Sequence, residues 1–278
     1  MIIDVNAWVG HWPFRQLRHN TVQGLLRLMD RSGIDRAVVA SIHGIFYRNP
    51  HSANEELARQ VMRHRDRLIP FATLNPAYAG WEEDLRRCAE DLELCGIRLY
   101  PQYHGYEPDS EEALDFLDAV ADLGWSVQVP MRIVDRRQRH PWDLADDLKP
   151  ATFRRLFGLR PHIRWMILNG AGFTGRILPP DVRFLVDVSR LTAVLERSIQ
   201  GLTQAWGNGR LAFGSGMPFN TPAPALLKLQ VLDAPHDVRE AIAWRNADTM
   251  LRCGGENNRT GLTQRHKGHK KKQSAKSG

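Results

Sequence analysis

The sequence predicts a (β/α)8 TIM barrel, an α/β fold. Three observations carry the prediction. Eight short apolar runs alternate with helical patterns, which implies a parallel sheet with helices outside. The connections between them are mostly short. The alternation fills about 250 residues, the size of a closed eightfold barrel. A doubly wound open sheet is the alternative. It lacks support, because no GxGxxG follows the first strand.

Ile2 to Val9 alternates, with Ile3, Val5, Ala7 and Val9 on one side and Asp4, Asn6 and Trp8 on the other. Gly10 ends this strand, and His11 to Arg15 starts a loop. Thr21 caps a helix striped by Leu25, Leu26 and Met29, which Gly33 stops. Ala37-Val38-Val39-Ala40 suits a second strand buried on both faces. Ser52 to Arg65 reads as helix, and Leu68 to Leu74 as the third strand, closed by Asn75-Pro76. Trp81 to Leu94 is the next helix. In the fourth strand, from Gly96, Ile97 and Leu99 face one way while Arg98, Tyr100 and Gln102 face the other. Burying an arginine there calls for an anionic or strongly polar answer, so Arg98 faces either a ligand pocket or a structural carboxylate.

Asp109 or Ser110 caps a helix through Ala113, Phe116, Leu117 and Val120. Trp125 to Arg132 is the fifth strand. The polar stretch Asp135 to Lys149 is long for a connection and reads as functional or mobile. A short helix near Phe153 leads to the sixth strand, Ile163 to Asn169, which runs into Gly170-Ala171-Gly172. Arg183 to Val188 and Arg210 to Ser215 are the seventh and eighth strands, with helix from Ala193 to Trp206 between them. Helices from Ala223 to Leu232 and from His236 to Leu251 finish the barrel. Barrel chemistry sits at the carboxyl ends of strands. That rule selects Asn6, Trp8, His43, Asn75, Arg98, Tyr100, Gln102, His104, Arg132, Asn169, Asp187 and Ser215.

Composition narrows the function classes. Apolar content of 42% and charged content of 25% suit a globular protein. No apolar run approaches the ~20 residues of a membrane helix, and the first strand begins too early for a signal peptide. Cys88, Cys95 and Cys253 form no CxxC pair and read as reduced thiols in a cytoplasmic protein. The net charge of +7 is local: seven of the 38 basic residues follow Glu256, and the other 31 equal the 31 acids. Residues 1–256 therefore read as the barrel, and 257–278 as a basic, disordered tail. The tail suggests at most non-specific attraction to nucleic acid or an acidic surface. The neutral body argues against a dedicated nucleic-acid-binding protein.

Several segments add up to a resemblance. They are Asp4-Val5-Asn6-Ala7-Trp8-Val9-Gly10, Gly33-Ile34-Asp35-Arg36-Ala37-Val38-Val39 and Asn54-Glu55-Glu56-Leu57. Pro70-Phe71-Ala72-Thr73-Leu74-Asn75-Pro76, Gly96-Ile97-Arg98-Leu99-Tyr100-Pro101 and Phe213-Gly214-Ser215-Gly216-Met217-Pro218-Phe219 complete the series. In this order they resemble the decarboxylase-like branch of the amidohydrolase superfamily over residues 1–252. The resemblance implies a divalent metal, usually zinc, serving hydrolysis or non-oxidative decarboxylation, and it makes a homodimer an expectation. It also places the family's ligands. The His-x-His positions hold Asn6 and Trp8, and the fifth strand reads Gln128-Val129-Pro130 without a histidine. The His-Gly-Gly pattern reads Asn169-Gly170-Ala171-Gly172, and Gly-Ser-Asp reads Gly214-Ser215-Gly216.

Zinc takes His, Cys or carboxylate ligands, three of them from the protein in a catalytic site. The expectation is therefore a degenerate site with no metal and no cofactor, zinc or another divalent ion being admitted only through relocated ligands such as His11, His43, His104 and His140. Metal lowers the pKa of bound water from about 15.7 to about 7, about 12 kcal/mol of ionisation free energy. A general base supplies only ~10²–10⁴-fold, so His104 alone does not restore metal-hydroxide chemistry. The leading reading is a pseudoenzyme, or a metal-independent enzyme of hydrolase or carboxy-lyase lineage, that binds a small anionic, carboxylated molecule. Asn6, Trp8, Arg98, Gln102, Arg132 and Asn169 are the candidate binding residues, with His104 and Tyr100 as candidate catalytic groups. Two readings stand beside it: a metal-dependent hydrolase or decarboxylase with relocated ligands, and a non-catalytic accessory protein acting through its tail. Gly170 and Gly172 suggest either an anion cradle or a tight turn.

Overall fold

A computed structural model describes residues 1–174 and 181–251. The basic tail expected at 257–278 lies outside them. Eight parallel strands form two hydrogen-bonded runs. The first holds β1 (Ile3–Val9), β2 (Arg36–Ser41) and β3 (Leu68–Pro70). The second holds β4 (Gly96–Arg98), β5 (Ser126–Pro130), β6 (Arg164–Leu168), β7 (Phe184–Asp187) and β8 (Leu211–Ala212). Parallel bridges Ala72↔Ile97 and Ala7↔Met217 join the runs at both seams and close the barrel. The Val5 amide donates to the Phe213 carbonyl at 3.0 Å across the second seam. The expected TIM barrel is the observed fold.

The helices are α1 (Val22–Ser32), α2 (His51–Val61), α3 (Trp81–Glu90), α4 (Pro101–His104) and α5 (Glu111–Asp122). Then come α6 (Pro150–Leu159), α7 (Ser198–Trp206), α8 (Ala223–Val231), α9 (His236–Glu240) and α10 (Asn246–Met250). A π-helical segment, Ala241–Arg245, links the last two. The Thr21 hydroxyl accepts from Gly24 N at 3.1 Å, and Gly33 ends α1 at φ +65°, so both expected caps are present. Of the two candidates for α5, Ser110 is the cap, accepting from Ala113 N at 3.3 Å.

Between strands and helices lies one continuous core. Val39, Ile97, Val127, Ile167 and Val186 meet Leu25, Leu57, Phe116, Phe153 and Ile199 there, all at most 2% exposed. Complete burial of side chains this size is worth roughly 1.5–3 kcal/mol each. The barrel interior is a second cluster, built on Val5, Trp8, Tyr100, Met166, Leu168 and Leu185.

Two local expectations need correction. β1 does not alternate cleanly: its register to β2 shifts between Asp4 and Ala7. Ile3 and Val5 therefore join Trp8 in the interior cluster, while Ala7 and Val9 belong to the outer one. A bulge inverts the faces that a period of two would assign. The fourth strand is also shorter than expected. It ends at Arg98, because Pro101 starts α4 at its first position with Tyr100 as the preceding cap residue. Gln102 and His104 thus stand on a one-turn helix and not on a strand.

Candidate functional site at the strand ends

A buried polar cluster spans the barrel at the ends of β1, β6 and β7. Asn6 is fully buried, and its amide nitrogen donates to Asp187 Oδ2 at 2.6 Å and to Asn169 Oδ1 at 3.0 Å. Asp187 also accepts from the Asn169 backbone N–H at 2.8 Å and, on its other oxygen, from the Ser189 N–H at 2.8 Å. Its carboxylate is thus held from three elements. Asn169 sits at φ +53°, a left-handed conformation that asparagine tolerates better than most residues. This turns its side-chain nitrogen onto the Arg132 carbonyl at 2.8 Å.

Below this cluster lies Arg98, fully buried and stacked over the Trp8 ring at 4.7 Å. Its Nε donates to Gln128 Oε1 at 2.7 Å and one Nη to the Ala7 carbonyl at 2.8 Å. Gln128 in turn donates to the Val5 carbonyl at 2.9 Å. These carbonyls lie where β1 shifts register, so side chains satisfy them. Burial pulls the Arg98 pKa down and pushes that of Tyr100 up. The Tyr100 hydroxyl accepts the Trp8 indole N–H at 3.0 Å. Arg98, Trp8 and Tyr100 form the floor of the barrel and present no surface to the mouth. The expectation that Arg98 faces a pocket differs from the structure: the side chain is fully buried and donates to an amide and a backbone carbonyl, with the charges of Asp4 and Asp187 acting on it without a hydrogen bond.

Asp4, also fully buried, accepts from Asn6 N at 2.8 Å and Ser215 N at 3.1 Å, while its second oxygen has no partner. Burial pushes its pKa up to about 6.

Above the cluster the mouth is polar on one side. Gln102 donates to the Pro130 carbonyl at 3.0 Å, leaving its oxygen buried without a partner. Arg132, past the end of β5, lies 3.4 Å from Asp147. Arg190, in the short 3-10 turn after β7, lies 3.7 Å from Asp135. Each guanidinium side chain is only 21% exposed, and neither donates a hydrogen bond to a described residue. Burial lowers the Arg190 pKa against the opposing charges of Asp135 and Asp187, and the charge of Arg132 adds a smaller push in the direction of burial. β6 lies between β5 and β7, so the two arginines flank the end that carries Asn169.

The other side of the mouth is aromatic. Trp12 meets Phe219 at 5.0 Å, Phe46 at 5.2 Å and Tyr103 at 6.2 Å between centroids. The Tyr103 hydroxyl donates to Asp143 at 3.1 Å. His104 faces away from the cluster, its Nε2 3.0 Å from the Gly44 carbonyl and its Nδ1 buried without a partner. A carbonyl only accepts, so Nε2 carries the proton. Burial lowers the His104 pKa and favours the neutral ring. Gly170 is required by packing, since a Cβ there would stand 2.8 Å from Val186.

The structure therefore brings Asn6, Asn169 and Arg132 together, stacks Trp8, Arg98 and Tyr100 beneath them, and sets Gln102 and His104 apart on α4. Sequence reasoning missed Arg190 as a residue of the mouth. Its signal was Asp187-Val188-Ser189-Arg190: the Asp187 side chain accepts the N–H two residues on and turns the chain so that Arg190 faces back to the mouth.

Fold and site together define a TIM-barrel protein of the metal-dependent-hydrolase type, with a polar cluster at its strand ends. The family described as amidohydrolase matches residues 6–150, and the chain belongs to that family. No curated protein matches it. Among solved structures it is similar to 5-carboxyvanillate decarboxylase from Sphingomonas paucimobilis, at 15% identity and a TM-score of 0.70, covering 91% of this chain and 99% of that one. It is also similar to 2,6-dihydroxybenzoate decarboxylase from Rhizobium, at 16% identity and a TM-score of 0.67 over 90% and 98% of the two chains. The dihydroxybenzoic acid decarboxylase from Polaromonas sp. JS666, with manganese and 2-nitroresorcinol bound, gives 16% identity and a TM-score of 0.67 over 94% and 99%.

That last likeness corrects the expectation of no cofactor. Decarboxylases with this fold hold manganese, so a divalent metal belongs to the repertoire of such barrels. The side chains at the strand ends of this chain do not fit such an ion as they are arranged. Asn6 and Asn169 turn donor nitrogens inward to Asp187 and the Arg132 carbonyl, and Gly216 offers no side chain. Among the described residues, no three His, Cys, Asp or Glu side chains converge on one point. No described helix is long and apolar enough to cross a membrane.

Proposed function

We propose that this amidohydrolase-family protein binds a small carboxylated molecule at the ends of β5, β6 and β7. Its carboxylate lies between Arg132 and Arg190, and its body rests on the aromatic side of the mouth. One observation carries the reading: two largely buried guanidinium groups flank one strand end and make no hydrogen bond to a described residue. A guanidinium has five N–H donors in a fork that matches a carboxylate. An anion between the two satisfies those donors and relieves the repulsion that Arg132 exerts on Arg190. Trp12, Tyr103 and Phe219 supply a wall for a flat apolar body. The decarboxylases with this fold are named for aromatic carboxylates, which supports an aromatic acid as the ligand class.

His104 faces the Gly44 carbonyl and stands apart from the two arginines, with the Tyr100 ring 6.1 Å away, so this reading gives neither a proton-transfer step. The test is calorimetric titration with 2,6-dihydroxybenzoate and 5-carboxyvanillate. Each Arg→Ala change, at 132 and at 190, is expected to weaken binding by about 10- to 100-fold, the loss of one charge-assisted pair. Affinity unchanged from the unaltered protein in either variant, or no binding by the unaltered protein, sinks the reading.

A further inference from the structure

The loop from Gly10 to Asn20, between β1 and α1, carries Trp12 and Phe14 over the mouth. Trp12 packs on Phe46, Tyr103 and Phe219, and Phe14 stacks on His140 of the long loop after β5 at 5.5 Å. Trp12 is 5% exposed, so this loop closes the aromatic side. Polar ties fasten it at few points. Gly10 N donates to the Asn20 carbonyl at 2.7 Å, which closes the base of the loop on itself. Arg15 donates to the Phe219 carbonyl at 2.9 Å. At the far end of the loop the His19 ring lies 3.2 Å from an Arg31 Nη on α1. The tie nearest β1 is a histidine: His43 Nε2 accepts the backbone N–H of His11 at 3.0 Å. On the other side of the same ring, His43 Nδ1 lies 3.0 Å from Glu56 Oε2.

Both ring nitrogens are therefore committed, in opposite senses. A backbone N–H only donates, so Nε2 must be the bare acceptor and Nδ1 must carry the proton that Glu56 accepts. A second proton on the ring has one place to go, Nε2. There it meets the His11 N–H donor to donor, and the tie becomes a repulsion. Glu56 stabilises the protonated ring. The groups facing His43 are Glu56 from α2, the His11 ring stacked at 5.7 Å, and the Tyr47 ring at 6.0 Å. A charged His43 against a charged His11 adds to the opening force. Gly10 fixes the geometry from below: at φ +114° it passes so close to the His43 ring that a Cβ would stand 3.1 Å from it.

We propose that the loop of residues 10–20 is a lid over the mouth, held shut by neutral His43 and released when His43 takes a proton. This goes beyond the ligand reading and does not depend on it, since the latch acts on the empty protein. Hydrogen–deuterium exchange of the full chain tests it without any ligand, with rates corrected for intrinsic chemistry at about pH 8 and about pH 5.5. Protection of peptides covering residues 10–20 is expected to fall on acidification by up to about tenfold per pH unit below the midpoint, the limit for one proton. His43→Gln, which keeps an acceptor and cannot titrate, is expected to show the same protection at both pH values. Glu56→Gln tests the latch should His43→Gln fail to fold, and is expected to move the midpoint to lower pH. His11→Asn keeps the backbone donor and is expected to retain the release. Unchanged protection in the unaltered protein overturns the proposal. So does release that persists in His43→Gln, an unmoved midpoint in Glu56→Gln, or loss of the release in His11→Asn.

Discussion

The Asn6 side-chain nitrogen stands 2.6 Å from Asp187 Oδ2, so an amide on the first strand and a carboxylate on the seventh meet across the barrel. Four donors use that carboxylate: the Asn6 amide, the backbone N–H groups of Asn169 and Ser189, and the Ser189 hydroxyl. Asp187→Ala leaves both backbone N–H groups without an acceptor and leaves Asn6 with Asn169 Oδ1 alone. At roughly 1–3 kcal/mol for each group so abandoned, the expected loss is about 3 kcal/mol or more in a urea melt. Asp187→Asn keeps part of the pattern and is expected to lose less. A loss below about 1 kcal/mol for the alanine variant would show that the cluster contributes little.

Arg98 and Arg132 are expected to part company. Arg98→Ala removes a buried cation that satisfies Gln128 and the Ala7 carbonyl, with an expected cost of about 3–5 kcal/mol, the scale of breaking a buried charged network. Arg132→Ala removes a partly exposed side chain at 3.4 Å from Asp147, and about 0–1 kcal/mol is expected. Paired denaturation curves check this, and similar losses in both variants would contradict it.

Asp4 gives a pH signature. Its folded pKa is raised to about 6 from a usual 3.8. The folded chain then holds that proton more tightly than the unfolded chain. The contribution is most favourable below about pH 4 and is lost as pH rises through about 6, a span of about 3 kcal/mol. Asp4→Asn is expected to flatten stability between about pH 4 and 7, and to stabilise at neutral pH by on the order of 2 kcal/mol. Parallel stability curves for the two proteins would contradict the assignment.

Gly214 and Gly201 are expected to respond with opposite sign to alanine. A Cβ on Gly214 would stand 2.7 Å from the Asp187 Cβ and 3.0 Å from the Asn6 Cβ. Neither atom can move without parting the pair, so a loss of about 1–3 kcal/mol is expected. Gly201 lies in α7 with open space around it. Alanine there is expected to gain roughly 0.5–1 kcal/mol from helix propensity. Thermal melts of the two variants check both signs.

Much of the barrel was legible because several strand cores, such as Val38-Val39 and Met166-Ile167, are apolar on both faces and alternate with helical patterns. The family was legible for a related reason: its ordered segments fall at strand ends, where position carries chemistry. The role of Arg98 was not legible. Period-two alternation says which face a residue takes, not how deep in the barrel that face lies. The depth came from the register shift in β1, whose exposed carbonyls only the fold reveals. Arg190 escaped for a different reason, since its direction is set by a three-residue turn after β7 and not by any repeat. The cofactor expectation rested on the replaced ligand positions alone, and the manganese held by decarboxylases of the same fold overturns it.

The seam at Ala7 and Met217 sets a timetable for synthesis. Of the eight strands β1 is made first, and its lateral partner follows roughly 210 residues later, so an edge that is buried in the finished barrel waits unpaired through that interval. The cluster around Asn6 draws on both ends of that interval and can assemble only once the ring shuts. Nascent chains arrested before Met217 are therefore expected to need chaperone cover, and to acquire their interior polar contacts in a single late step.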